Sequence, residues 1–138
     1  MAYNITGVVS DGFPFGIFTF TYHLSGTFAD DTAVAATAGK AVSLDTSAAA
    51  TVKLAADGDV IFGRVYVAEN RNSIGGGKVA SIARKFKEKL PAATGHGIVV
   101  GDRVIGAGAG LVKKDTAAGV ANPIVVEVGT DYVVAEKL

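Results

Sequence analysis

The sequence predicts a mainly β fold: a small sandwich or barrel of many short strands, preceded by an extended N-terminal arm. Three observations predict it. Glycine is frequent (18 of 138 residues) while proline is scarce at 3, and glycine supplies the positive φ of tight turns. Valine, isoleucine and threonine, which suit pleated surfaces, recur in short runs between turn signals. One segment, Ile17–Leu24, alternates with a period of two, as a strand with one apolar face does.

The chain has the usual length of one domain. Apolar residues make up 49% and charged residues 19%, which argues against wholesale disorder. Acidic and basic residues balance at 13 each. No global positive field draws in nucleic acid or an anionic membrane surface. Cysteine is absent, so disulfides and cysteine-ligated zinc are excluded. No run approaches the roughly 20 apolar residues that span a bilayer. The N-terminus lacks a basic start followed by an apolar run, and the expectation is a protein made in a cytoplasm.

Residues 1–28 read as an arm plus first strand, and residues 29–138 as a single barrel-like domain. In the arm, Tyr3 to Gly16 holds three glycines and a proline and reads as irregular or extended. Phe18, Phe20, Tyr22 and Leu24 then share one face, opposite Ile17, Thr19, Thr21 and His23. Further on, Ala41–Leu44 and Thr51–Leu54 read as strands about the Asp45-Thr46-Ser47-Ala48 turn, whose side chains bond nearby backbone. Asp57-Gly58-Asp59 is a turn leading into Val60–Val67, the clearest strand. Asn70–Gly77 reads as a loop.

Lys78–Leu90 is ambiguous. Val79, Ile82, Ala83, Phe86 and Leu90 fit a helical stripe, yet Ala80, Ile82, Arg84, Phe86, Glu88 and Leu90 share a face at period two. Ile98–Ile105 reads as a strand pair or bent strand, Gly106–Gly110 as a turn, and Leu111–Lys114, Ile124–Val128 and Tyr132–Ala135 as strands. An internal echo joins two regions. Thr37–Leu44, Thr51–Leu54 and Val60–Val67 form a hairpin plus strand, as do Val100–Ile105, Leu111–Lys114 and Ile124–Val128. Two such units are expected to close one small barrel.

Motifs for chemistry fail on spacing. Ser73–Lys78 lacks the first glycine of a P-loop, and Val79 stands where serine or threonine would hold magnesium. Gly106, Gly108 and Gly110 miss the third spacing of a dinucleotide fingerprint. His23 and His96 are isolated, Asp30, Asp31, Asp57 and Asp59 lack calcium-loop spacing, and no Gly-x-Ser-x-Gly elbow exists. The expectation is a non-enzyme with no cofactor. The basic run Arg84-Lys85-Phe86-Lys87-Glu88-Lys89 has one aromatic, too few to stack a nucleic-acid strand. It reads as a solvated face or a contact for an acidic protein surface, through Arg84, Lys85 and Lys87.

The order of elements resembles the capsid decoration, or cement, proteins of tailed bacteriophages. The resemblance rests on Ala38-Gly39-Lys40-Ala41-Val42, Ile61-Phe62-Gly63-Arg64-Val65, Gly77-Lys78-Val79 and Gly101-Asp102-Arg103-Val104. It spans roughly residues 29–114. It implies a compact β-barrel or β-tulip core of SH3-like type, strand rather than helix for Lys78–Leu90, and a homo-oligomer, with a trimer favoured. It further implies a place on the outer surface of the virion, reinforcing the shell through contact with the major capsid protein. The long aromatic N-terminal region departs from the family pattern. The alternative is another phage structural subunit, from a tail tube or head-fibre base; a small β-barrel enzyme or ligand-binding module comes third.

A clamp of this kind gains by burying apolar area, at about 25 cal/mol per Å² before association costs. Phe13, Phe15, Ile17 and Phe18 are the candidates for that area, and an extended arm can add a strand to a sheet edge. Deleting the residues before Phe18 is expected to abolish capsid attachment while leaving the barrel folded; co-sedimentation of the truncated protein with capsids would overturn this role.

Overall fold

Among the described residues, short apolar runs between glycine turns build nine strands. A computed structural model describes residues 18–25, 37–71, 77–117 and 122–137. In chain order the strands are β1 (Phe18–Leu24), β2 (Ala41–Leu44), β3 (Thr51–Leu54), β4 (Gly63–Arg71), β5 (Gly77–Pro91), β6 (Val104–Gly108), β7 (Leu111–Lys114), β8 (Ile124–Val128) and β9 (Tyr132–Lys137). No helix occurs among the described residues, and the mainly β barrel expectation holds. The expected arm, residues 1–17, lies outside the described residues.

Five strands close a barrel. β1 pairs with β3 in parallel, β3 with β2, β2 with β4, β4 with β5, and β5 with β1. β1, which the sequence reading groups with the arm, is thus a wall strand. Inside lie Val42, Val52, Val65, Ala80 and Ile82, with Tyr22 and Leu24 packed against them. β4 starts at Gly63 rather than Val60. A Cβ at position 63 would sit 2.5 Å from Ile82 Cγ2 and 2.7 Å from the Ala83 carbonyl oxygen, so only glycine allows β4 this close to β5.

The ambiguous segment is one 15-residue strand, β5. Its N-terminal half pairs with β1 and β4, and its C-terminal half, from Phe86 to Pro91, pairs with β9. It serves two cores in succession. Ile82 belongs to the first barrel, whereas Ala83, Phe86 and Leu90 belong to a second cluster with Val104, Val112, Val125, Val133 and Ala135. Burial on alternate sides near Ala80–Ala83 mimics a helical stripe.

The internal echo is a repeated topology, but the two units do not close one barrel. The C-terminal half of β5 with β6, β7, β8 and β9 repeats the pairing order of β1 to β5. Val65 pairs with Ile82 and Val125 with Ala135; each ladder then skips one residue, Tyr66 or Val126, before resuming at Val67–Ser81 or Glu127–Val134. Tyr22 pairs with Ala80 as Leu90 pairs with Val133. The same turn opens β2 and β6. Lys40 N donates to Thr37 O (3.0 Å) and Asp102 N to Val99 O (3.1 Å), and Gly39 and Gly101 donate to Val65 O and Val125 O, both at 2.8 Å. Both glycines have positive φ, 87° and 94°, as the third position of such turns requires. The interiors correspond as well: Val42, Val52, Val65, Ala80, Ile82, Tyr22 and Leu24 match Val104, Val112, Val125, Val133, Ala135, Leu90 and Ala92 in place.

The second ring is closed more loosely, by the bridges Ala92–Val112 and Arg103–Ile124. Proline explains the first of these seams. In the first ring His23 N donates to Ala50 O at 2.9 Å. The matching residue in the second ring is Pro91, which has no N–H to give. The matching acceptor, Gly110 O, instead takes a bond from Ala41 N at 2.9 Å. The β6–β7 tip is thereby docked on the first ring, with Gly110 N bonded to Ala55 O (3.1 Å). Gly106 fits against the Ala56 and Asp59 carbonyls, where a side chain would collide.

A buried polar group completes the joint. Asn122 Oδ1 accepts from Ile61 N (3.1 Å) and its Nδ2 donates to Asp115 Oδ2 (3.1 Å). Because the rings share a strand, urea denaturation followed by circular dichroism is expected to show one transition. Leu90→Ala should lower stability by about 2–5 kcal/mol through lost packing, and Asn122→Ala by about 1–3 kcal/mol through orphaned polar groups. A biphasic transition would show that the rings unfold separately.

Candidate interaction surface

Strand alternation divides the basic run of β5. Lys85 and Lys87 are exposed, while Phe86 is buried between them. Arg84 points the other way and is held in place: its guanidinium lies 3.6 Å from the Phe62 ring centroid, and its Nε donates to Phe62 O at 2.8 Å. Cation–π stacking of this kind fixes a guanidinium without neutralising it. The three basic residues singled out in the sequence therefore do not form one patch. Phe13, Phe15 and Ile17 lie outside the described residues. Phe18 opens β1 and pairs with Lys85.

Arg84 borders a groove of about 490 Å³ at the joint between the rings. The first ring contributes Ser43 and Leu44 from β2, Lys53 from β3, and Asp59 to Phe62 from the approach to β4; β9 contributes Lys137. Leu44 and Val60 keep 44% and 56% of their surface exposed, so the groove has an apolar lip. Its acid is already engaged. Asp59 Oδ2 accepts from Ser43 Oγ (2.7 Å) and Ala56 N (3.0 Å), with Lys53 Nζ at 3.4 Å. Burial opposes ionisation of Asp59, but these bonds outweigh it and hold the carboxyl below its ordinary range. Burial, reinforced by the nearby Arg84 charge, lowers the pKa of Lys137.

A second cleft of about 370 Å³ is lined by Lys40, Arg64, Lys89, Asp131 and Tyr132, among others. Arg64 Nε donates to Lys89 O (2.8 Å), and Lys89 Nζ lies 4.3 Å from the Tyr132 ring centroid. Elsewhere, His96 bonds the backbone at Gly129 O and Ile98 N, which makes it a loop brace. Asp57 pairs with Lys113. No group of three metal-ligating side chains occurs among the described residues. The sequence marks Asp59 as part of a turn and Val60 as a strand start, but no pattern brings Ser43, Leu44, Lys53, Asp59, Val60 and Lys137 together, since they come from distant segments.

Large apolar side chains also stand in solvent away from the groove. Phe20, Tyr66 and Val67 on the first ring, and Val99 and Val100 at the second ring's opening turn, are all more than half exposed. Valine gains nothing from a turn position, so its exposure there suits contact with another surface. No protein-family model matches the chain, and no curated protein matches it significantly.

The depressed carboxyls make stability pH-dependent. Bonds from Ser25 and Ser47 lower Asp45 from 3.8 to about 2, and the Val99 amide likewise holds Asp102 down. Such groups stabilise the fold above their unfolded pKa, and this is lost as pH falls through the folded value. The urea midpoint is expected to fall on acidification from about pH 4 to about 2, and Asp45→Asn to make that fall shallower. An unchanged slope in the variant would remove Asp45 from this role.

Proposed function

We propose that this protein is a structural component of a tailed-phage virion that binds the outer surface of the capsid and stabilises the shell, working through protein contacts rather than catalysis. The observation that carries this reading is the distribution of exposed apolar side chains. Val60, Tyr66, Val67, Val99 and Val100 stand in solvent on a body whose cores are already filled, and such surface is what a partner protein covers.

Two further features support it. Two rings sharing one strand form a stiff body, suited to bracing a lattice. The segments that carry the resemblance to decoration proteins also fall at the structural joints: Gly39 and Gly101 in the paired turns, Gly63 at the close approach of β4 to β5, and Gly77 at the start of β5. The partner in this reading is the major capsid protein, and the protein acts as a homo-oligomer.

Light scattering on the purified protein, followed by co-sedimentation with tailed-phage capsids lacking a decoration protein, tests the proposal. A small defined oligomer that saturates the capsids stoichiometrically is the expected result. Spontaneous rings or tubes with no capsid affinity would favour a tail-tube subunit instead.

A further inference from the structure

The second cleft departs from the charge balance of the whole chain. The protein carries equal numbers of acidic and basic residues, yet Lys40, Arg64 and Lys89 line this cleft with one carboxylate, Asp131. Among the described residues no carboxylate forms an ion pair with any of the three cations. Two positive charges are therefore in excess there. Each cation is also held without being neutralised. Arg64 Nε donates to Lys89 O at 2.8 Å, and its terminal nitrogens have no hydrogen-bond partner among the described residues. The Lys89 ammonium lies 4.3 Å from the Tyr132 ring centroid, a contact that orients a charge and leaves it in place. The Lys40 stem runs against Gly110, where an added Cβ would stand 2.8 Å from Lys40 Cβ and 3.2 Å from its Cδ. The cleft also crosses the ring joint. Lys40 and Arg64 belong to the first ring, Asp131 and Tyr132 to the second, and Lys89 to the strand they share.

We infer that this cleft is the docking site for an extended acidic segment of a partner protein. Its carboxylates are taken by Lys40, Arg64 and Lys89, and the small apolar side chains between them lie along Ala38 and Pro91, which complete the wall. Charge complementarity selects the occupant. Cations gathered at one joint repel each other, and carboxylates placed among them remove that cost. The backbone favours carboxylates over a phosphate group. Phosphate sites recruit free amides, but the amides of Gly39, Lys40 and Ala92 are already given to Val65 O, Thr37 O and Asp131 O. Side-chain cations on separate elements suit the spaced carboxylates of an extended chain. The identity of the partner, a surface segment of the capsid subunit, rests on the proposed function; the cleft chemistry stands on its own geometry.

Two measurements test it separately. Isotope-labelled full-length protein is titrated at about 0.01 M salt, where surface charges are little screened. The ligands are acetyl-Glu-Ala-Glu-Ala-amide, acetyl-Lys-Ala-Lys-Ala-amide and inorganic phosphate, and amide resonances are followed. The acidic peptide is expected to shift Gly39, Lys40, Arg64, Lys89 and Tyr132, and to bind at least about tenfold more tightly than either other ligand. Lys89→Glu should weaken the acidic peptide by about tenfold or more, and Asp131→Asn, which removes the one acid lining the cleft, should tighten it by about two- to fivefold. Both residues are exposed, so both variants are expected to keep the dispersed spectrum of the parent. Shifts located elsewhere, no binding, equal binding of the two peptides, or one affinity for both variants would overturn the inference. Phosphate bound as tightly as the acidic peptide would overturn the carboxylate assignment. Capsid co-sedimentation is then repeated with both variants, and Lys89→Glu is expected to weaken it. Capsid binding that Lys89→Glu leaves unchanged would overturn the cleft as the capsid's docking site while sparing the virion role. Peptide binding without capsid binding by the parent protein would overturn the virion role and leave the cleft assignment standing.

Discussion

The structure depends on β5 serving two rings at once. A 15-residue strand is long for a small domain, and its length has a purpose. Its first half supplies the fifth wall strand of one ring, and its second half the first wall strand of the next. A strand can do this only if its side chains switch cores along its length, which Ile82, Ala83, Phe86 and Leu90 do. Neither ring is then a separable body, and a hinge between them would have to break β5 itself.

The second ring is an altered copy rather than a repetition. Its interior keeps small and medium apolar residues at every matched place, and its β8–β9 ladder keeps the skipped residue. Pro91 removes one donor from its parallel seam. The carbonyl left over becomes the acceptor for Ala41 N, and Gly106 and Gly110 let the backbones of the two rings touch. A loss inside one ring is thus coupled to a gain between rings. The Asn122–Asp115 pair adds a bond to Ile61 N at the same joint, satisfying polar groups that burial would otherwise leave costly.

That joint also makes the candidate site. The groove takes residues from β2, β3, the approach to β4, β5 and β9, so it exists only because the rings are fused. Arg84 illustrates the difference between a charge run and a site. Along the chain it is one of several neighbouring cations. In the fold it alone turns inward onto Phe62, while Lys85 and Lys87 stay in solvent.

The sequence by itself determined the class of fold, most strand positions and the existence of two similar units. These follow from local rules: glycine punctuates turns, β-branched runs extend, and period two marks a half-buried strand. It left Lys78–Leu90 open between helix and strand, because that strand is buried against two cores and shows no single period. It also placed the start of β4 at Val60, since nothing local reveals that Gly63 is where the backbones first come close. Tertiary structure alone decided that the units form two rings instead of one, because closure depends on which distant strands meet and on the donor missing at Pro91. It alone assembled the groove, whose members are far apart in sequence and are united by the shared strand rather than by any motif.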